Sequence, residues 1–136
     1  IHGYDIELRS PGLPEVVDMA RETGRIVIVS SHHFGDYPIS VSQLEYRYHT
    51  AMETGADYFK VASMAHDFEA AAQLYSFMEL NPGAPIIAVT MGELGVEGRK
   101  QLLRLGSRAT YVFMGDRPAA PGQLSLSEFI EFRAAA

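Results

Sequence analysis

The strongest constraint on the fold is an alternation. Short runs rich in Val, Ile, Tyr and Phe trade places with longer amphipathic runs along 136 residues. The short runs are "YDIEL" (4–8), "RIVIVSS" (25–31), "DYFKVAS" (57–63), "PIIAVTM" (85–91) and "ATYVFMG" (109–115). Their length and β-branched or aromatic content predict strands. Between them, "PEVVDMARET" carries Pro14 near its start and Gly24 just past its end, the usual helix asymmetry. "SVSQLEYRYHTAMET" begins with capping-type serines and stops at Gly55. "DFEAAAQLYSFMEL" is expected to bury Phe68, Ala71, Ala72, Tyr75 and Met78 on one face. A fourth helix is expected at about 95–105 and a fifth after Ser125. Five βα units in strict alternation imply a parallel sheet with crossover helices.

Strand starts lie between 21 and 32 residues apart. A (β/α)₈ barrel of about 250 residues averages about 31 per unit. The spacing suits a barrel or an open doubly wound sheet, but no Gly-rich phosphate loop follows the first strand, which weakens a nucleotide-binding sheet. Five units cannot close eight strands. The expected architecture is therefore a single partial TIM barrel over 1–136, a (βα)5 segment with parallel strands. The start at Ile1, without methionine, reads as a trimmed or partial chain.

Composition excludes several functions. Eleven Lys and Arg against seventeen Asp and Glu give a formal charge of −6, with no basic block. Nucleic acid and anionic membrane are poor partners for such a chain. With no cysteine, disulfides, thiolate chemistry and Cys-bound zinc are out, and a reducing, cytoplasmic setting is expected. No apolar run approaches the roughly 20 residues of a membrane span, and no signal peptide is visible.

In either architecture functional groups collect at the C-terminal strand ends. There the sequence offers Glu7 and Arg9, Ser31 with His32 and His33, Lys60 and Ser63, and Thr90 with Met91. Lys60 interrupts an apolar strand. Pointing inward, it would be desolvated, lowering its pKa and making it a nucleophile for a ketone; at a strand end it would snorkel to solvent. His32 and His33 must face opposite sides of an extended strand. His32 shares parity with Ile26, Ile28 and Ser30 and is a candidate general base, or a histidine bonded to backbone. No third ligand sits at a spacing that would make the pair a metal site. Arg99, after "MGELGVEGR", could clamp a carboxylate or be a solvated helix residue. Gln123, in the Pro/Gly-punctuated loop "PAAPGQ" (118–123), could donate to a substrate oxygen.

Together these segments resemble the type I 3-dehydroquinate dehydratases, colinearly over nearly the whole chain. "DIEL" resembles the family's fourth barrel strand. "SSHHF" followed by a proline resembles the fifth-strand signature S-x-H-D-F…P, "GADYFKVA" the sixth strand, "TMGELGVEGR" the seventh-strand M-x-x-x-G-x-x-x-R, and "GSRATYVF…AAPGQLS" the eighth. The resemblance implies a Schiff-base lysine at Lys60 and a catalytic histidine at His32. It implies substrate contacts from Arg99 and Gln123, with Glu7 and Met91 as further candidates at strand ends. It implies a lyase of the shikimate pathway that needs no metal or cofactor and takes a small carboxylate substrate. The alternative is an inactive half-barrel that binds a small acid or serves a structural role; a lysine–histidine pair acting on another keto acid is a third reading. The sequence departs from the family at His33, where Asp is usual, and at Ala119, where Ser is common. Family strands one to three, with an arginine, acidic residues and the glutamate that orients the histidine, have no counterpart. The inward strand faces, expected to be apolar, and two open edges would then call for a homodimer or a partner chain.

Overall fold

In the computed structural model, which describes residues 2–136, the β-branched runs form four parallel strands. These are β1 (Gly3–Glu7), β2 (Ile26–His33), β3 (Tyr58–Met64) and β4 (Ile86–Met91), paired in the order β1-β2-β3-β4. Ile1 lies outside the described residues. Each strand is followed by its helix: α1 (Leu13–Thr23), α2 (Val41–Glu53), α3 (Phe68–Leu80) and α4 (Gly95–Arg104). Local chemistry sets the helix limits. Pro14 opens α1, and Gly24 closes it in the left-handed region at φ 63°. Ser40 and Gln43 form a capping box on α2, and Asp67 accepts from the Ala70 amide at the start of α3.

Strand alternation sorts the sheet into two faces. Val27, Val29, Phe59, Val61, Ile86 and Ala88 point to the helices and are buried against Val17, Ala20, Leu44, Leu74, Phe77 and Leu102. The rings of Phe59 and Phe77 meet edge-on at 6.4 Å, with Tyr48 beside both. The other face carries Asp5, Glu7, Ser30, His32 and Lys60 among Ile28, Ala62, Ile87 and Val89. It is therefore not the apolar surface expected; its β1, β2 and β3 positions hold charge.

Two further expectations need correction. On α3 the buried residues are Ala70, Ala71, Leu74, Phe77 and Met78, while Phe68 is 74% exposed. The apolar residues run almost around this helix, so periodicity alone does not choose the stripe; contact with the sheet does. "ATYVFMG" does not become a full fifth strand. The Arg108 amide still donates to the Ile86 carbonyl, but the Ala109 carbonyl accepts from Ser107 Oγ and the Tyr111 carbonyl from Arg99 Nη1. Beyond that backbone bond the segment does not pair with β4. Only β5 (Val112–Phe113) remains, paired in parallel with β6 (Leu124–Ser125), ahead of α5 (Leu126–Ala135).

Candidate active site

The ladder register brings the candidate lysine and histidine to one face. Lys60 pairs with Ser30, and His32 lies two residues further along β2, opposite Ala62. Strand spacing and rise put the two Cα atoms about 8 Å apart, within reach of one small substrate.

Lys60 does not snorkel. Its side chain is 12% exposed, and Nζ donates to Asp5 Oδ2 at 2.6 Å, reaching past β2 to β1. The Tyr111 ring lies 4.8 Å from Nζ. Burial is the largest single influence on Lys60 and pushes its pKa down. The hydrogen bond and charge of Asp5, helped by Tyr111, push it up and prevail. The ammonium is thus held protonated, above the ordinary lysine range, where desolvation alone had implied a lowered pKa. Neither Asp5 nor Tyr111 was singled out from the sequence. Asp5 had a usable signal, since in "DIEL" it shares the parity of Glu7. Tyr111 had none, because its position depends on how the chain leaves β4.

His32 Nδ1 lies 2.7 Å from Glu7 Oε2. A carboxylate can only accept here, so Nδ1 carries the proton and Nε2 is left as the basic nitrogen. The Phe34 ring stacks parallel to the imidazole at 5.9 Å and restrains its tilt. Glu7 thus holds the histidine with one carboxylate oxygen, in the manner expected of a glutamate from outside this segment. His33 faces the other way, and its Nε2 donates to the Tyr37 carbonyl at 2.7 Å.

The remaining candidates are more distant from this pair in role. Arg99 is 3% exposed, not solvated. Its Nε donates to the Thr90 carbonyl at 2.9 Å and Nη1 to the Tyr111 carbonyl at 3.0 Å, and burial lowers its pKa. It joins the end of β4 to the segment that carries Tyr111 over Lys60. Gln123 Oε1 accepts from the Ala119 and Ala120 amides, closing loop 118–123 on itself. That loop sits against α4 through two glycines: a Cβ on Gly95 would lie 2.4 Å from Gly122 Cα. Met91 ends β4 opposite Met64, half-buried. Among the described residues, no three His, Asp or Glu side chains are grouped to hold a metal ion, and no helix is long and apolar enough to cross a membrane.

Residues 2–134 match the family model described as type I 3-dehydroquinase. The 3-dehydroquinate dehydratase of Dehalococcoides mccartyi is 32% identical over 128 residues, covering 93% of this chain and 57% of the relative. That of Methanococcus maripaludis is 33% identical over 129 residues, covering 93% and 58%. Among solved structures, the type I 3-dehydroquinate dehydratase of Clostridium difficile, described with covalently modified comenic acid, superposes with a TM-score of 0.88 at 26% identity. It covers 99% of this chain and 55% of that one. The chain spans a little over half the length of these relatives.

Proposed function

The chain belongs to the type I 3-dehydroquinase family, and from that premise we propose that it carries the Schiff-base half of a dehydratase site converting 3-dehydroquinate to 3-dehydroshikimate. The observation that carries this reading is the arrangement of Lys60 and His32 on one face of neighbouring strands, each with its own carboxylate. Lys60 starts protonated and must lose that proton to solvent before it attacks; the charge of Asp5, at 2.6 Å, opposes the loss. The free amine adds to the C3 ketone, water leaves, and an imine forms. His32 Nε2 takes a C2 proton, and the electron pair moves into the imine, giving an enamine. The C1 hydroxyl then leaves as water with the proton that His32 returns. Hydrolysis of the imine frees the product and regenerates Lys60. No step needs a metal or redox cofactor.

We further infer that turnover depends on surface supplied by a second copy or another chain. In the sheet β1 and β4 each pair on one side only, and Ile26 on the charged face is 46% exposed. A homodimer covering this face, working in the cytoplasm, is the reading adopted. A half-barrel that forms the imine without turning over is the second reading, favoured by the half-length span relative to the relatives.

Borohydride trapping with dehydroquinate tests both readings. The expected result is a mass gain localised to Lys60, absent in Lys60→Met and retained in His32→Ala. Turnover persisting in Lys60→Met would remove the imine mechanism, and loss in His33→Ala with His32→Ala active would reverse the histidine roles. Normal turnover from a sample that sediments as a 15.0 kDa monomer would sink the requirement for added surface.

A further inference from the structure

A cavity with an apolar wall lies on the opposite side of the sheet from Lys60. It has a volume of about 510 Å³ and sits between the end of β1 and helix α2. Leu8 and the Tyr46 side chain supply apolar wall; Ser31, Ser42 and Thr50 supply hydroxyls. Two guanidinium groups, Arg9 and Arg47, line it, and no acidic residue does. In a chain of net charge −6, that local balance is unusual.

Among the described residues, neither arginine makes an ion pair with a carboxylate. Arg47 Nη1 donates to Ser31 Oγ at 2.8 Å, and Ser31 is buried at the floor. That leaves most of the donors of both guanidiniums for something else. Burial lowers the Arg47 pKa first, and the charge of Arg9 lowers it again, while Glu7 opposes them. Two cations are therefore held close enough to repel, a cost that an anion between them would reverse.

We propose that this cavity is a binding site for a phosphomonoester, independent of the Lys60 site. A phosphate group offers acceptors in several directions, which suits two guanidiniums and surrounding hydroxyls better than a single planar carboxylate does. The remaining volume and the Leu8–Tyr46 wall accommodate the small organic group attached to it. The occupant is a small phosphorylated metabolite, with inorganic phosphate as its minimal probe.

Calorimetric titration of the whole chain in phosphate-free buffer decides the matter, using inorganic phosphate, glycerol 3-phosphate and succinate. The expected result is saturable binding of both phosphates, glycerol 3-phosphate tighter, and succinate at least about 10-fold weaker. Arg9→Gln and Arg47→Gln should each weaken phosphate binding by about 10-fold or more. Arg47→Gln also removes the Ser31 contact, so the exposed Arg9→Gln variant decides if the former fails to fold. Absence of saturable phosphate binding, or unchanged affinity in Arg9→Gln, would overturn the proposal. So would binding that Lys60→Met weakens and the arginine variants do not, since the anion would then sit on the other face.

Discussion

Strands β2 to β4 and the segment from Ser107 onward were built by the same chain with opposite degrees of commitment. The three strands run 6 to 8 residues, are paired along their length, and bury nearly all their helix-facing side chains. In the later segment β5 and β6 are two residues each and pair only with one another. Helix α5 is well capped by Ser125 and Glu128, yet it buries no residue. Its Phe129 and Phe132 line a cavity of about 320 Å³ shared with Leu103 and Arg104. Thr110 Oγ1 is buried there without a hydrogen-bond partner. Good local signals thus made a helix in both regions, but only the sheet region gave its helices something to bury. The later segment is held by point attachments: Leu124, fully buried, the Arg99 bond to Tyr111, and the Gly95–Gly122 contact.

Mutations at matched sites break or sharpen this contrast. The largest effect is expected at Phe59, which is fully buried between Phe77 and Tyr48. Phe59→Ala should cost about 3–5 kcal/mol in urea unfolding, whereas Ile130→Ala on α5 should stay within about 0.5 kcal/mol. Equal losses would erase the distinction between the regions.

Arg99→Met should come next, at about 2–3 kcal/mol, because it leaves the Thr90 and Tyr111 carbonyls without their charged donor. Hydrogen exchange should speed up in residues 107–125 while β2 and β3 stay protected. Uniform acceleration would mean that Arg99 supports the sheet, not the junction.

A smaller cost, about 1–3 kcal/mol, is expected for Gly95→Ala, whose new Cβ must displace the Gly122 backbone. Nuclear magnetic resonance shifts should move in loop 118–123 and leave His32 and Lys60 unperturbed. Shifts at Lys60 with a silent loop would reassign that contact.

The smallest effect near neutral pH is expected for Asp5→Asn, about 1 kcal/mol or less, because the pair is partly open to solvent. Its signature lies in the pH dependence. The folded Lys60 pKa is raised above the ordinary 10.5, so its contribution is complete below that value and is lost as pH rises through the folded pKa. In Asp5→Asn the burial of Lys60 is opposed only by Tyr111, and the pKa falls. The variant should therefore lose less stability above pH 10.5 than the parent chain does, and its borohydride trapping should reach full rate at lower pH. Parallel alkaline unfolding curves would show that Asp5 does not set the charge on Lys60.

Much of this was legible before any coordinates. Strand-end position gathered His32 and Lys60 at one end of the sheet, period-2 parity separated His32 from His33, and Pro14, Gly24 and Ser40 marked helix ends. These features are local, because side-chain direction and capping are settled within a few residues of the backbone they act on. What escaped reading was every property set by a distant group. The shared face of His32 and Lys60 came only with the ladder register. The stripe that α3 buries depended on which side met the sheet. The shortness of β5 and the burial of Arg99, bonded to the Tyr111 carbonyl, both rest on contacts between segments apart in sequence. Glu7 was visible as a strand-end acid but not as the partner of His32, 25 residues on. The charge of Lys60 turned most of all on tertiary structure. The sequence determined that a lysine would sit inside an apolar strand. Only the fold brought Asp5, 55 residues away, to its ammonium, and a 2.6 Å ionic contact outweighs the burial that the strand alone would have imposed.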